Sequence, residues 1–149
     1  MKAKLGNKEY SIQFATKPTL KAHLIQVIMK SQDLDENLES LEDIILGIIP
    51  KTLLVGLQMH HKDEFGYDYE SNEGYDEQFA KVSDMVCTAI DENEINCMDL
   101  FADMQEEMLK NGFLAQTMES IRKAQDQVSD QAQKTTKKAS SKTTTKKQN

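Results

Sequence analysis

The chain has 149 residues, of which 38% are hydrophobic and 29% charged, with a net charge of −7. That length fits one domain, and a body of this size buries roughly two-thirds of the surface its unfolded chain exposes, enough for a core without metal or disulfide support. No run approaches the ~18 consecutive apolar residues of a membrane helix, and no apolar stretch of a secretory signal follows the lysines of Met1–Gly6.

Charge is unevenly spread. Six lysines and no acid follow Asp130, so residues 1–130 hold 12 basic against 25 acidic side chains, about −13. A body this acidic excludes nucleic-acid binding through its folded surface and favours protein partners. Cys87 and Cys97, each beside Met, Val or Ile, read as reduced, partly buried thiols of a cytoplasmic protein.

In chain order, Lys2–Leu5 and Lys8–Phe14 flank Gly6-Asn7 and read as a β-hairpin, since Gly-Asn supplies the positive φ of a two-residue turn. Tyr10, Ile12 and Phe14 alternate with polar residues at the period of a half-buried strand. A helix is expected from Pro18-Thr19, with Leu20, Leu24, Ile25, Val27 and Ile28 as its apolar face, and Ser31–Asn37 as a polar connection. Leu38, Leu41, Ile44, Ile45, Ile48 and Ile49 repeat at helical spacing until Pro50, which should end or kink that helix. Leu53, Leu54, Leu57 and Met59 continue it as a second piece to about Lys62.

Asp63–Gly74, with two glycines, five acids and three aromatics, reads as a loop. Phe79, Val82, Met85, Val86, Ala89 and Ile90 mark another helix. Asn96 can cap the next one, whose apolar face is Leu100, Phe101, Met104, Met108 and Leu109 and whose end is Asn111-Gly112. A last helix begins at Phe113, Leu114, Met118 and Ile121. Residues 131–149 hold nothing apolar larger than alanine and are expected to be disordered.

The expected fold class is α+β, predominantly α-helical: an N-terminal β-hairpin packed on a small bundle of about five or six helices, then a disordered C-terminal tail. The hairpin occupies 1–15 and the helical body 18–125 of a single folded domain spanning 1–130.

No catalytic, cofactor or metal site is read from the residues, and the chain is not expected to be an enzyme. His60-His61 are adjacent and so point about 100° apart on a helix, whereas zinc ligands need i and i+4. A calcium loop starting at Asp68 would need glycine at its sixth position and glutamate at its twelfth, but Glu73 and Phe79 stand there. The lysine tail lacks arginine and aromatics, so it reads as a solubilising segment rather than a nucleic-acid arm. Met85, Met98, Met104, Met108 and Met118 gather in the C-terminal half, and flexible methionine surfaces suit extended apolar partners. A partner groove is therefore expected among Leu100, Phe101, Met104, Met108, Phe113 and Leu114; core packing fits the same residues equally well.

Four segments carry a resemblance to a known family. They are the hairpin Leu5–Tyr10, the run from Leu41 through Ile49-Pro50-Lys51-Thr52-Leu53-Leu54-Val55-Gly56-Leu57-Gln58, the histidine pair with Asp63–Tyr69, and Leu109-Lys110-Asn111-Gly112-Phe113-Leu114-Ala115. Together, over about residues 1–120, they resemble the tail assembly chaperones of long-tailed, siphovirus-type phages or prophages of Gram-positive bacteria. The resemblance implies a protein of the host cytoplasm, absent from the mature virion, that binds and solubilises the tape measure protein. It also implies self-association, and a longer product of ribosomal frameshifting that recruits the tail tube protein. A structural tail or head-completion protein, or a small acidic regulator of a host protein, is the alternative.

Overall fold

The computed structural model describes residues 1–32, 38–111, 114–117 and 119–127, without the side chains of 29–32 and 38–40. Two strands, β1 (Lys2–Leu5) and β2 (Lys8–Ser11), precede α1 (Thr16–Lys21), α2 (Leu24–Gln32), α3 (Leu38–Asp43), a π-helical turn (Ile44–Ile48), α4 (Ile49–Leu57), α5 (Lys62–Phe65), α6 (Tyr75–Asp91) and α7 (Cys97–Lys110). The chain divides into a unit of residues 1–113 and one of 114–149. Within the second, residues 114–117 and 119–127 are helical. The tail expected over 131–149, the Gly112 cap, Phe113 and Met118 lie outside the described residues.

The fold is α+β and mostly helical, with the hairpin at its N-terminus. The strands pair antiparallel from Lys2↔Ser11 to Leu5↔Lys8. Gly6 takes a φ of 68° at the first turn position, the place where a two-residue hairpin turn needs glycine. The inward residues Leu5, Tyr10, Ile12 and Phe14 are buried, as the alternation requires.

The hairpin rests on α4. Every residue of α4 except Lys51 is buried, which makes it a central column rather than an amphipathic surface helix. Gln13 donates its N–H to the Gly56 carbonyl at 3.0 Å. A Cβ at Gly56 would meet Ile12 Cγ2 at 2.6 Å and Phe14 at 3.2 Å, so the absence of a side chain is what lets strand and helix close up. Around the column stand α6, with Val82, Val86 and Ala89 buried, and α7, with Leu100, Phe101, Met104 and Met108 buried. Asn96 caps α7 as its sequence suggests: its side-chain oxygen accepts the N–H groups of Met98 and Asp99 at 3.0 and 3.2 Å.

Several boundaries differ from the sequence reading. The helix expected through Leu20 and Leu24 is broken at His23, whose φ is 53°, and Leu20 faces outward at 49% exposure. Of the two outcomes expected at Pro50, an end or a kink, the helix does not end there; it runs on, and the turn before the proline widens to π geometry. The piece expected to reach Lys62 stops at Leu57, and Met59 is exposed. The segment read as loop from Asp63 begins inside the single turn of α5, whose Phe65 is fully buried. Cys87 and Cys97 are free and half-buried. Among the described residues no helix is long and apolar enough to cross a membrane.

Candidate partner-binding surface

Proline lacks an N–H, and its ring collides with the carbonyl four residues back in a regular α-helix. The chain meets that constraint just upstream of Pro50. Ile49 donates its N–H to Ile44, five residues back, and the turn Ile44–Ile48 opens to π geometry. Thr52 sends its hydroxyl to the Ile48 carbonyl at 2.7 Å, satisfying an acceptor in the distorted stretch.

The wider turn has a consequence for side chains. One extra residue in a turn rotates everything upstream by about 100° relative to a continuous helix. Leu41, Ile44 and Ile45 therefore do not keep the orientation relative to α4 that an unbroken α-helix would give them. Although the turn reads Ile-Ile-Leu-Gly-Ile, none of its residues is buried. Leu46 is 46% exposed and Leu41 41% exposed, while Ile44, Ile45 and Ile48 are half-buried. Exposed Glu42 and Asp43 border this aliphatic surface. Single exposed leucines are ordinary, but several aliphatic side chains left uncovered within about two turns, with acids next to them in the chain, suit an interaction surface. π-turns also recur at functional sites.

The groove expected farther along the chain falls differently. Leu100, Phe101, Met104 and Met108 lie on the buried face of α7, with Met104 at 0% exposure, and α7 packs on α4. They are core residues of the first unit. Phe113 is outside the described residues, and Leu114 belongs to the second unit. Met98 and Leu109 are the large apolar side chains that α7 exposes. The sequence reading placed Leu41 on a buried helix face because its spacing to Ile44, Ile45 and Ile48 is that of such a face, and it did not single out Leu46. The adjoining Gly47 and Pro50 were the signal that the spacing would not hold.

A second feature lies on the loop between α5 and α6. Buried Gln58 donates to the Leu54 and Phe65 carbonyls at 3.0 and 2.9 Å and accepts the Tyr69 hydroxyl at 3.2 Å, which ties the loop to α4. Asp68 turns the loop back by accepting the N–H of Glu70 at 2.8 Å. Those backbone hydrogen bonds hold its carboxyl below the ordinary carboxylate range. Glu70 receives Lys17 and Lys21, each at 3.0 Å, and their hydrogen bonds lower it likewise. Tyr67 packs edge-on against Tyr69 and Tyr75, each at 5.2 Å. Burial pushes its hydroxyl up to about 12.

The histidine pair serves the hairpin. His60 Nε2 lies 2.9 Å from Gln13 Oε1 and His61 Nε2 lies 3.0 Å from the Ser11 nitrogen. Among the described residues no three His, Cys, Asp or Glu side chains converge as metal ligands would. The chain matches no protein-family model, no curated protein and no solved structure.

Proposed function

We propose that this protein is a tail assembly chaperone of a long-tailed phage or prophage of a Gram-positive bacterium, and that it covers apolar helical stretches of the tape measure protein until tail tube protein replaces it. The resemblance in Leu5–Tyr10, Leu41–Gln58 and Asp63–Tyr69 motivates the family. The observation that carries the mechanism is the aliphatic surface of Leu41, Ile44, Ile45, Leu46 and Ile48, displayed beside acidic side chains.

The physics of the role is simple. A tape measure exposes apolar helix faces along its length before the tube closes around it. A helix face seated on an aliphatic surface removes apolar area worth about 25 cal/mol per Å2 from water. One such contact is weak. Many copies in a row protect the whole length, yet each leaves singly as tube protein arrives. The acidic body keeps the loaded complex soluble by mutual repulsion. In this reading the protein acts in the host cytoplasm, self-associates along its client, and engages the tube protein mainly through a longer frameshifted product.

Co-expression tests the proposal. With this protein, the tape measure protein of the same phage should remain in the soluble fraction and co-purify; without it, it should pellet. Finished particles should lack the chain. Its presence at stoichiometric level in purified virions would instead make it a structural component.

A further inference from the structure

A cleft of about 170 Å3 is lined by Lys21, His23, Lys51, Tyr67, Asn72 and Tyr75. Its walls come from the α1–α2 break, from α4 and from the loop that enters α6. No carboxylate lines it, on a chain whose residues 1–130 carry about −13. Lys51 is the one residue of α4 that is not buried in the column. Among the described residues no carboxylate is paired with it, whereas Lys17 and Lys21 share Glu70 close by. Burial pushes the Lys51 ammonium down, the state of a cation that lacks its counter-charge. Around it stand neutral donors. Asn72 is held at a φ of 61°. Tyr67 keeps its proton to about 12 and so stays a donor at physiological pH.

We infer that this cleft is an oxyanion subsite, in which Lys51 supplies the charge and Tyr67, Asn72 and His23 line the space for a single carboxylate or phosphate group. The volume decides the size of the ligand. It is below the roughly 300–1,000 Å3 of sites that enclose cofactor-sized molecules, so one small group fits and a nucleotide does not. A partly desolvated cation gains more from an anion than an exposed one, because the interaction is less screened. The subsite does not depend on the chaperone reading. It can be filled by a free oxyanion or by an acidic side chain of a protein partner, which share this chemistry.

The full chain should be titrated with sodium phosphate and, separately, with sodium acetate, at ionic strength held constant with sodium chloride. Backbone amide resonances of residues 21–23, 51 and 72 are followed. Saturable shifts confined to these residues are expected in the millimolar range. Saturation by both anions assigns the site to carboxylates and hence to partner side chains; saturation by phosphate alone assigns it to a phosphate group. Lys51→Met should weaken the response at least tenfold, and Lys110→Met, on a cation paired with Glu106, should not. Lys51→Met should also melt higher than the parent in chloride, since it deletes an uncompensated charge; should it fail to fold, Lys51→Gln takes its place. Shifts that grow without saturating, or that survive both Lys51 substitutions, overturn the inference.

Discussion

His61 Nε2 accepts the backbone N–H of Ser11 across a 3.0 Å gap, so a side chain from beyond α4 occupies a ladder position at the end of β2. The ring also stands edge-on to Tyr10 at 5.2 Å. An unpaired strand edge is a template for another strand, and here the Ser11 donor is already taken. His61→Ala should cost about 1–2 kcal/mol, the usual loss when a partly buried donor is left unsatisfied. Hydrogen exchange at the Ser11 amide should accelerate more than at Tyr10. Unchanged exchange at Ser11 would show that the imidazole does not hold the strand.

The close approach at Gly56 gives a sharper test of packing. Gly56→Ala places a methyl 2.6 Å from Ile12 Cγ2 and 3.2 Å from Phe14. Alanine ordinarily favours a helix by about 1 kcal/mol over glycine. Overpacking of about 1–3 kcal/mol opposes that gain, and both neighbours are buried side chains with little room to yield. The variant should therefore be less stable than the parent in urea, with an unchanged m-value. A more stable variant would mean that hairpin and helix separate easily.

Carboxylates set the acid limit. Glu64, Asp68, Glu70 and Glu106 all lie below their ordinary values of 4.5 or 3.8. The first cause at Glu64, Glu70 and Glu106 is a lysine hydrogen bond; at Asp68 it is a backbone N–H. A depressed folded value gives stability that is present above the unfolded value and lost as pH falls through the folded one. Thermal midpoints should therefore fall as pH drops below about 4.5. At the alkaline end, Tyr67 is raised from 10.0 to about 12 by burial. Stability should decline as pH rises through that window, and one tyrosine should ionise later than the others in a spectrophotometric titration.

Much of this arrangement was legible in the residues themselves. Gly6-Asn7 between two lysine-flanked strands, the Tyr10-Ile12-Phe14 alternation and the Asn96 cap each carry a local physical requirement that the fold honours. The misreadings share a different cause. The break at His23 rests on a left-handed conformation at a residue that is not glycine, which sequence does not announce. Leu41, Ile44, Ile45 and Ile48 repeat at the spacing of a buried α-helix face and looked like core, yet Leu41 is exposed and the three isoleucines, on a turn widened ahead of Pro50, are only half-buried. For α7 the reverse holds. Its Met-rich face fitted groove and core alike, and packing against a column as uniformly buried as α4 places Leu100, Phe101, Met104 and Met108 inside.

Those two surfaces respond differently to substitution. Met104→Ala should cost about 2–5 kcal/mol, because it empties a fully buried site. Leu46→Asp removes an exposed side chain and should change stability by no more than about 0.5 kcal/mol. Chemical denaturation of the two variants beside the parent measures both. Equal losses would mean that Leu46 is packed rather than displayed.

Whether the Leu41–Ile48 surface is what shields the client can be read in one co-expression experiment, with the parent protein or Leu46→Asp beside the tape measure protein and the soluble and pelleted fractions quantified. The parent should keep the tape measure in solution, while Leu46→Asp, itself folded and soluble, should let it pellet. If Leu46→Asp solubilises the tape measure as well as the parent does, the aliphatic surface beside the π-turn is not the binding face.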